Sequence, residues 1–295
     1  MGYTAFRYAG LTTVARWLRN DGVVLCYHNV VPQPVGPAAT LGLHMPFATF
    51  ERQLRWLTRH YAIVALDDFV DRVARGASLR RVAAITFDDG YAGVFENAWP
   101  LLRDLGVPAT VFLVAEAHGE RRAQGFWWDD TEVLRVYSPA AEQRWLTECK
   151  GDSTVIVGAG PPRLAPAWGR PATWDQIAEA TRGGLSIGAH TATHRALPAL
   201  SDDDLYRELV ESRTVIRQHS GVIPALFAYP YGLWDGRTRH AVQSAGYRAA
   251  FTLGAGGRTR GRDLWTQPRL SIPAGISEAA FQAWVAGLNP GRRRA

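Results

Sequence analysis

Length and composition already exclude several classes of protein. The chain has 295 residues, of which 47% are hydrophobic, which is enough for a large buried core. Its formal net charge is +6, but the arginines are dispersed apart from a short tail, Arg292–Arg294. Because no basic stripe alternates with aromatic residues, nucleic-acid binding is not expected. No apolar run approaches the roughly 18 residues of a membrane-spanning helix.

Residues 1–20 lack the apolar core and cleavage site of a secretory signal, which favours a cytoplasmic location. Apolar residues recur near helical spacing here: Phe6, Leu11, Val14, Trp17 and Leu18. This pattern fits an amphipathic helix that packs on the domain or associates peripherally with a membrane. Cys26 and Cys149, the only cysteines, are far apart and are expected to be free thiols.

Short apolar runs alternate with helical patterns along the chain. Strands are predicted where β-branched and aromatic residues cluster, at 23–27, 63–66, 82–87, 109–114, 185–188, 226–228 and 247–253, with a last strand near Arg269. Helices are predicted from three- and four-residue apolar spacing at 47–60, 67–75, 91–105, 139–149, 174–181, 201–220, 237–245 and 281–288.

This alternation of strands and helices predicts an α/β fold with parallel strands. About seven such units suit a closed or nearly closed barrel. The competing open, doubly wound sheet usually has a glycine-rich loop after its first strand, where this chain has His28-Asn29-Val30. We expect residues 1–295 to form one domain, with a core at about 22–275 and an aromatic-rich insertion at about 115–170.

Two adjacent carboxylates, Asp88 and Asp89, follow the strand predicted at 82–87. A turn at Gly90 can bring both to the same open end of the sheet. Their repulsion is costly unless a cation or a proton intervenes, which suits one carboxylate on a metal ion and the other free as a base. By itself, Asp-Asp-Gly is more often a helix cap or a turn.

Two histidines, His190 and His194, follow the strand predicted at 185–188. At this spacing they share one face of a helical turn and can chelate one ion. No glutamate adjoins His190, which excludes the zinc-protease helix motif. Together with Asp89 they form a set of two imidazoles and one carboxylate that leaves coordination positions open.

A turn-rich segment, Phe227-Ala228-Tyr229-Pro230-Tyr231-Gly232, follows another predicted strand. Its backbone N–H groups can face a developing oxyanion. Taken alone, the segment is an ordinary turn.

The three motifs, in this order, resemble those of the polysaccharide deacetylases (NodB-like, carbohydrate esterase family 4), and the resemblance runs from about residue 23 to residue 272. It implies a distorted (β/α)7-type barrel and a divalent metal, usually zinc. It also implies that Asp88 is the general base, that Asp89, His190 and His194 bind the metal, and that Tyr231 is a backbone oxyanion donor. The Phe-Ala-Tyr-Pro-Tyr-Gly variant resembles the branch of poly-N-acetylglucosamine deacetylases.

The chain departs from the common family pattern in two places. Ala228 stands where many members have an arginine before the Pro-Tyr turn, and Leu270–Pro273 lacks the histidine that often supplies the general acid. In the similar branch a histidine after the first strand is the suspected acid, a position that His28 occupies here; a structural histidine is the alternative. Arg269 can replace the missing arginine, or it can form a surface ion pair.

The implied reaction is metal-dependent hydrolysis of an N-acetylated sugar, on a polysaccharide, glycolipid or glycoside, with release of acetate. Asp88 takes a proton from water at the metal, and His28 protonates the departing amine. Trp127, Trp128, Tyr229 and Trp234 are candidates for substrate contact, with core packing as the alternative. The competing hypotheses are an amide or imide hydrolase for a non-sugar substrate and a catalytically degenerate carbohydrate-binding protein.

Overall fold

The structure, a computed structural model, describes residues 10, 12, 14–15, 19–36, 41–119, 124–158, 163–254 and 263–288. The predicted N-terminal amphipathic helix lies almost entirely outside the described residues, and so does the Arg292–Arg294 tail. The interpretation of residues 1–295 as one domain stays a prediction. None of the helices in the described part of the chain has the length and apolar character needed to cross a bilayer.

The strands are short and mostly buried. They are β1 (Val23–Tyr27), β2 (Asn29–Val31), β3 (His44–Pro46), β4 (Ala62–Ile63), β5 (Val82–Phe87), β6 (Thr110–Leu113), β7 (Ser186–Ala189), β8 (Leu226–Ala228), β9 (Ala249–Leu253) and β10 (Gln267–Ser271).

Seven of these strands, β1 and β5 to β10, close into a parallel barrel. The closure depends on β1, in which Leu25 pairs with Ile85 of β5 and with Leu270 of β10. β4 pairs with the first residues of β5, and β2 and β3 form a separate parallel pair. The predicted barrel is therefore confirmed, and the open sheet is excluded.

Helices fill the connections between the strands. In the described residues they are α1 (Phe47–His60), α2 (Leu66–Arg75), α3 (Trp99–Asp104), α4 (Thr131–Arg135), α5 (Pro139–Thr147), α6 (Ser153–Val157), α7 (Trp174–Arg182), α8 (Asp202–Ser220), α9 (Gly236–Ser244) and α10 (Glu278–Val285). Several of them bury an apolar face, as does α1, where Phe50, Leu54 and Leu57 have no exposed surface.

The helix predicted at 91–105 is shorter than expected. Tyr91 instead forms an antiparallel bridge with Pro171, and a π-helical turn at Val94–Ala98 then leads into α3. This bridge joins the segment after β5 to the aromatic insertion, a long-range contact that local spacing does not reveal. The pair β2 and β3 was missed for another reason: each strand has only three residues, too few for a recognisable pattern.

Candidate active site

The residues of the three sequence motifs lie at one end of the barrel. Asp88 and Asp89 follow β5, His190 follows β7 and the 229–232 turn follows β8. His28 follows β1. Because all barrel strands are parallel, their carboxyl ends share one rim, which is where barrel active sites are built.

A left-handed turn brings the carboxylates of Asp88 and Asp89 to the same side of the rim, near His190. The Asp88 N–H donates to the Tyr27 carbonyl oxygen at 3.0 Å, which continues the pairing of β5 with β1. The chain then turns through Asp89 (φ 69°) and Gly90 (φ 74°). A Cβ atom at Gly90 would lie 2.5 Å from the His118 ring, so only glycine fits there. As a result, His190 Nε2 is 3.9 Å from Asp88 Oδ2 and 3.7 Å from Asp89 Oδ1.

Asp89, His190 and His194 place three donor atoms around one point. Asp89 Oδ1 lies 3.4 Å from His194 Nε2, and the two Nε2 atoms are 3.1 Å apart. Atoms bound tetrahedrally to one zinc ion at about 2.0–2.2 Å are about 3.3–3.6 Å from each other. The observed separations are close to this range, so the three side chains can hold one divalent ion.

The hydrogen bonding around these donors also fits a cation. His190 Nδ1 donates to the Ala228 carbonyl oxygen at 2.7 Å, so the lone pair of the neutral ring is on Nε2, facing the other donors. Asp89 is 1% exposed, and its Oδ1 atom has no hydrogen-bond partner among the described residues. A buried carboxylate oxygen without a donor is costly, and a bound cation would remove that cost.

The charges of this trio point in the same direction. Burial and the neighbouring Asp88 raise the pKa of Asp89 well above its usual value. Burial lowers the pKa of His190, and burial together with His190 lowers the pKa of His194. Protein groups alone therefore favour neutral side chains, whereas a cation would stabilise the ionised carboxylate and the neutral imidazoles.

Asp88 differs from Asp89 because it has a cationic partner inside the protein. Arg269 is fully buried and donates to Asp88 Oδ1 at 2.6 Å and to Oδ2 at 2.7 Å. Burial works to raise the pKa of Asp88, but the charge and hydrogen bonds of Arg269 hold it well below the usual value. This bidentate pair excludes the alternative that Arg269 forms a surface ion pair.

His28 and Cys26 lie beside Asp88. A ring nitrogen of the partly buried His28, Cys26 Sγ and an Asp88 oxygen all lie within 4.8 Å of one another. Cys26 Sγ is 3.3 Å from Asp88 Oδ2. Burial lowers the pKa of His28 to about 4, against the opposing effect of Asp88. The imidazole is thus neutral at pH 7 in the resting site.

Three of the four predicted substrate contacts do not fit the structure. Trp127, Trp128 and Tyr229 are 1%, 3% and 0% exposed, so their ring faces are covered by protein. Trp128 instead packs 4.6 Å from the His194 ring, and Trp127 Nε1 donates to the Tyr231 hydroxyl at 3.1 Å. The 42% exposed Trp234 has accessible surface for a ligand, and its role stays a prediction.

Tyr231 lies against the histidine pair. Its backbone is left-handed (φ 57°), and its ring packs edge-on against His194 with the centroids 4.6 Å apart. The turn is stabilised by a bond from the Gly232 N–H to the Tyr229 carbonyl oxygen at 2.9 Å. The structure therefore brings this turn to the site, and the role of the Tyr231 N–H as an oxyanion donor stays a prediction.

A buried polar chain behind Trp128 was missed in the sequence. Trp128 Nε1 donates to the Tyr91 hydroxyl at 2.6 Å, and that hydroxyl donates to Asp129 Oδ2 at 2.6 Å. His44 Nε2 meets Asp129 Oδ1 at 2.8 Å. These hydrogen bonds hold the insertion beside His194. In the sequence, the one signal for these hydrogen bonds was Asp129, a carboxylate directly after Trp127-Trp128.

Comparisons with known proteins give the family. A family model described as polysaccharide deacetylase matches residues 75–250. The chain belongs to the polysaccharide deacetylase family. Poly-β-1,6-N-acetyl-D-glucosamine N-deacetylase of Staphylococcus aureus (strain MRSA252) is 36% identical over 237 residues, which cover 80% of this chain and 70% of that protein. The predicted resemblance is confirmed, and the chain is a hydrolase of the deacetylase type.

Two solved structures share the fold of this deacetylase. IcaB from Ammonifex degensii superimposes with a TM-score of 0.64 at 21% identity, covering 91% of this chain and 98% of that one. The Streptococcus pyogenes deacetylase PplD, solved in complex with acetate, gives a TM-score of 0.63 at 19% identity, covering 87% and 94%. At these identities the likeness extends to the fold alone.

Proposed function

We propose that this protein removes the acetyl group from N-acetylated amino sugars by metal-dependent hydrolysis. The observation that carries the proposal is the pairing of two unlike carboxylates. Asp88 is held ionised by the buried Arg269. Asp89 converges with His190 and His194, and none of the described residues donates a hydrogen bond to its Oδ1 atom. The relative that removes acetyl groups from poly-β-1,6-N-acetyl-D-glucosamine supports an amino-sugar substrate.

Asp89, His190 and His194 would hold the metal. Zinc is the proposed ion, because two imidazoles and one carboxylate with open positions form a typical catalytic zinc set. When bound, such an ion lowers the pKa of water and polarises a carbonyl group.

Asp88 acts as the general base. Arg269 keeps its carboxylate ionised and fixes both oxygens, so Asp88 is ready to accept a proton from water beside the metal ligands. Arg269 donates to both oxygens of Asp88, and Asp88 Oδ2 is 3.9 Å from His190 Nε2, which supports a base beside the proposed ligands.

His28 returns the proton to the departing amine, which is a poor leaving group until protonated. With a pKa of about 4 the imidazole is neutral at rest, so it must gain a proton during the reaction. An oxygen of Asp88 lies within 4.8 Å of a His28 ring nitrogen. Asp88, which has accepted a proton from water, is therefore the proposed source of the proton for His28. His28→Gln should lower kcat about 100-fold with zinc affinity unchanged. Wild-type turnover in that variant would remove His28 from the mechanism.

The backbone N–H of Tyr231 completes the proposal as an oxyanion donor. The left-handed turn places this residue against His194, one of the metal ligands. A backbone donor held in this way needs no reorganisation when negative charge develops on the acetyl oxygen.

The deciding experiment measures acetate released from β-1,6-linked N-acetylglucosamine oligomers by zinc-loaded protein. Asp88→Asn and chelator-treated protein serve as controls. We expect zinc-dependent release that both controls abolish. Zinc binding without release from these oligomers or from small N-acetyl glycosides would favour a degenerate binding protein. Release only from non-sugar amides would favour the other hydrolase hypothesis.

A further inference from the structure

The loop that joins the two histidine donors is conformationally strained. Thr191 (φ 68°) and His194 (φ 64°) both have left-handed backbones, and neither is a glycine. Such conformations are energetically unfavourable and are rarest for β-branched residues such as threonine. They persist only where surrounding contacts fix them, so the loop depends on whatever holds it.

Hydrogen bonds hold this loop from two sides. On one side, the carbonyl oxygens of Thr191 and Ala192 accept from the N–H groups of Ala115 at 3.0 Å and Glu116 at 2.9 Å. On the other side, Glu208 Oε2 accepts from the N–H groups of Ala192 and Thr193, both at 2.9 Å.

The second carboxylate oxygen of Glu208 is also used. Glu208 Oε1 accepts a short hydrogen bond from the Thr193 hydroxyl. Within the loop, the His194 N–H donates to Thr191 Oγ1 at 2.8 Å. Glu208 is thus a distant side chain that ties down the middle of the loop, between the two metal-ligand histidines.

Glu208 stands at an unusual place for a carboxylate. It is 4% exposed, and it lies on the buried face of α8 with Leu205, Leu209, Ser212 and Ile216. Burial raises its pKa. A carboxylate on this face would destabilise the helix packing unless it were hydrogen-bonded, and the loop supplies those bonds. A glutamate on an apolar helix face was the sequence signal that we did not interpret.

We propose that Glu208 is a positioning residue that sets the separation of the His190 and His194 nitrogens and so the affinity of the site for its metal. The inference rests on the metal site of the proposed function. Glu208 acts through the geometry of its hydrogen bonds, not through its charge.

The test is zinc binding to the apoprotein by calorimetry, together with the visible absorption spectrum of the Co²⁺ form, which reports ligand geometry. Glu208→Ala should bind zinc about 10- to 100-fold more weakly, the usual range when a group that orients a ligand is lost, and should change the Co²⁺ spectrum. Glu211→Ala, at an exposed position of the same helix, is the matched control and should match wild type.

Glu208→Gln separates geometry from charge. Its amide oxygen can accept both backbone N–H groups, and the Thr193 hydroxyl can turn to accept from the amide NH2. We therefore expect zinc affinity within about threefold of wild type and an unchanged Co²⁺ spectrum. An affinity as low as that of Glu208→Ala would overturn the geometric role.

Two further comparisons keep the inference testable. If Glu208→Ala does not fold, Thr193→Val carries the test, because it removes one donor from the carboxylate and should weaken zinc binding by about threefold or more. Wild-type affinity in Thr193→Val or Glu208→Ala would refute the inference. Wild-type protein that binds zinc tightly but releases no acetate would refute the proposed function alone.

Discussion

Asp88 and Asp89 are neighbours in the chain, yet their surroundings are opposite. Asp88 receives two hydrogen bonds from a buried guanidinium group, and its pKa is held low. Asp89 faces two imidazole rings, its Oδ1 atom has no hydrogen-bond donor in the described part of the chain, and its pKa is raised. Both side chains are almost completely buried.

The difference shows how one dipeptide can have two roles. Two adjacent buried carboxylates repel each other, and each needs its own positive partner. For Asp88 that partner is part of the protein and always present. For Asp89 we propose a metal ion, so that occupancy by the ion, and not folding, completes the second half of the site.

The largest effect is expected from Asp89→Asn. The substitution removes the anionic ligand but keeps the size of the side chain, so zinc should no longer be retained and activity should fall at least about 1,000-fold. Metal content after dialysis and acetate release measure the two effects. Retention of stoichiometric zinc would show that Asp89 is not a ligand.

Asp88→Asn should give the opposite combination. Without its general base the enzyme should lose about 10²- to 10⁴-fold in kcat, while zinc content stays at the wild-type level. Kinetics on zinc-loaded protein provide the measurement. Equal loss of zinc in Asp88→Asn and Asp89→Asn would contradict the proposal that only Asp89 is a metal ligand.

Arg269→Met should lower the free energy of unfolding of the protein. Removing one partner of a buried ion pair leaves an uncompensated charge and typically costs about 3–5 kcal/mol. Urea unfolding of the apoprotein measures this cost. Arg239→Met, which breaks the partly exposed pair with Asp263, is the control and should cost less than about 1 kcal/mol. Similar values for both variants would contradict a special role for the Asp88–Arg269 pair.

The smallest effect is expected from Cys26→Ala. The thiol is only a weak donor, and Arg269 already binds both oxygens of Asp88. We expect kcat to fall less than about threefold, with unchanged zinc affinity. A much larger fall in kcat would mean that Cys26, and not the guanidinium group alone, determines the protonation state of Asp88.

Much of the barrel and of the candidate metal site, Asp89, His190 and His194, could be predicted because local patterns specify them. β1, β5 and β8 have the predicted bounds, and β7 is displaced by one residue. Parallel strands put their carboxyl ends together, so residues that follow β5 and β7 had to meet. For Arg269 two possibilities were left open, and its burial against Asp88 agrees with the first, replacement of the missing arginine, which stays a prediction.

The remaining features depend on contacts between distant segments. Burial of Trp127 and Trp128 results from how the insertion folds back on the rim, and composition does not encode that arrangement. The hydrogen bonds of Asp129 and Glu208 join segments whose separation in sequence hides their proximity. Residues proposed to position the metal ligands were therefore harder to recognise than the proposed ligands themselves.

The position of β10 links completion of the chain to completion of the site. Arg269 lies 181 residues after Asp88, on the strand that closes the barrel against β1. During synthesis on the ribosome, both aspartates and both histidines emerge before their cationic neighbour exists. A nascent chain lacking β10 has neither a closed barrel nor a counter-charge for its base. Closure of the barrel by β10 is therefore also the step that gives Asp88, the proposed base, its counter-charge.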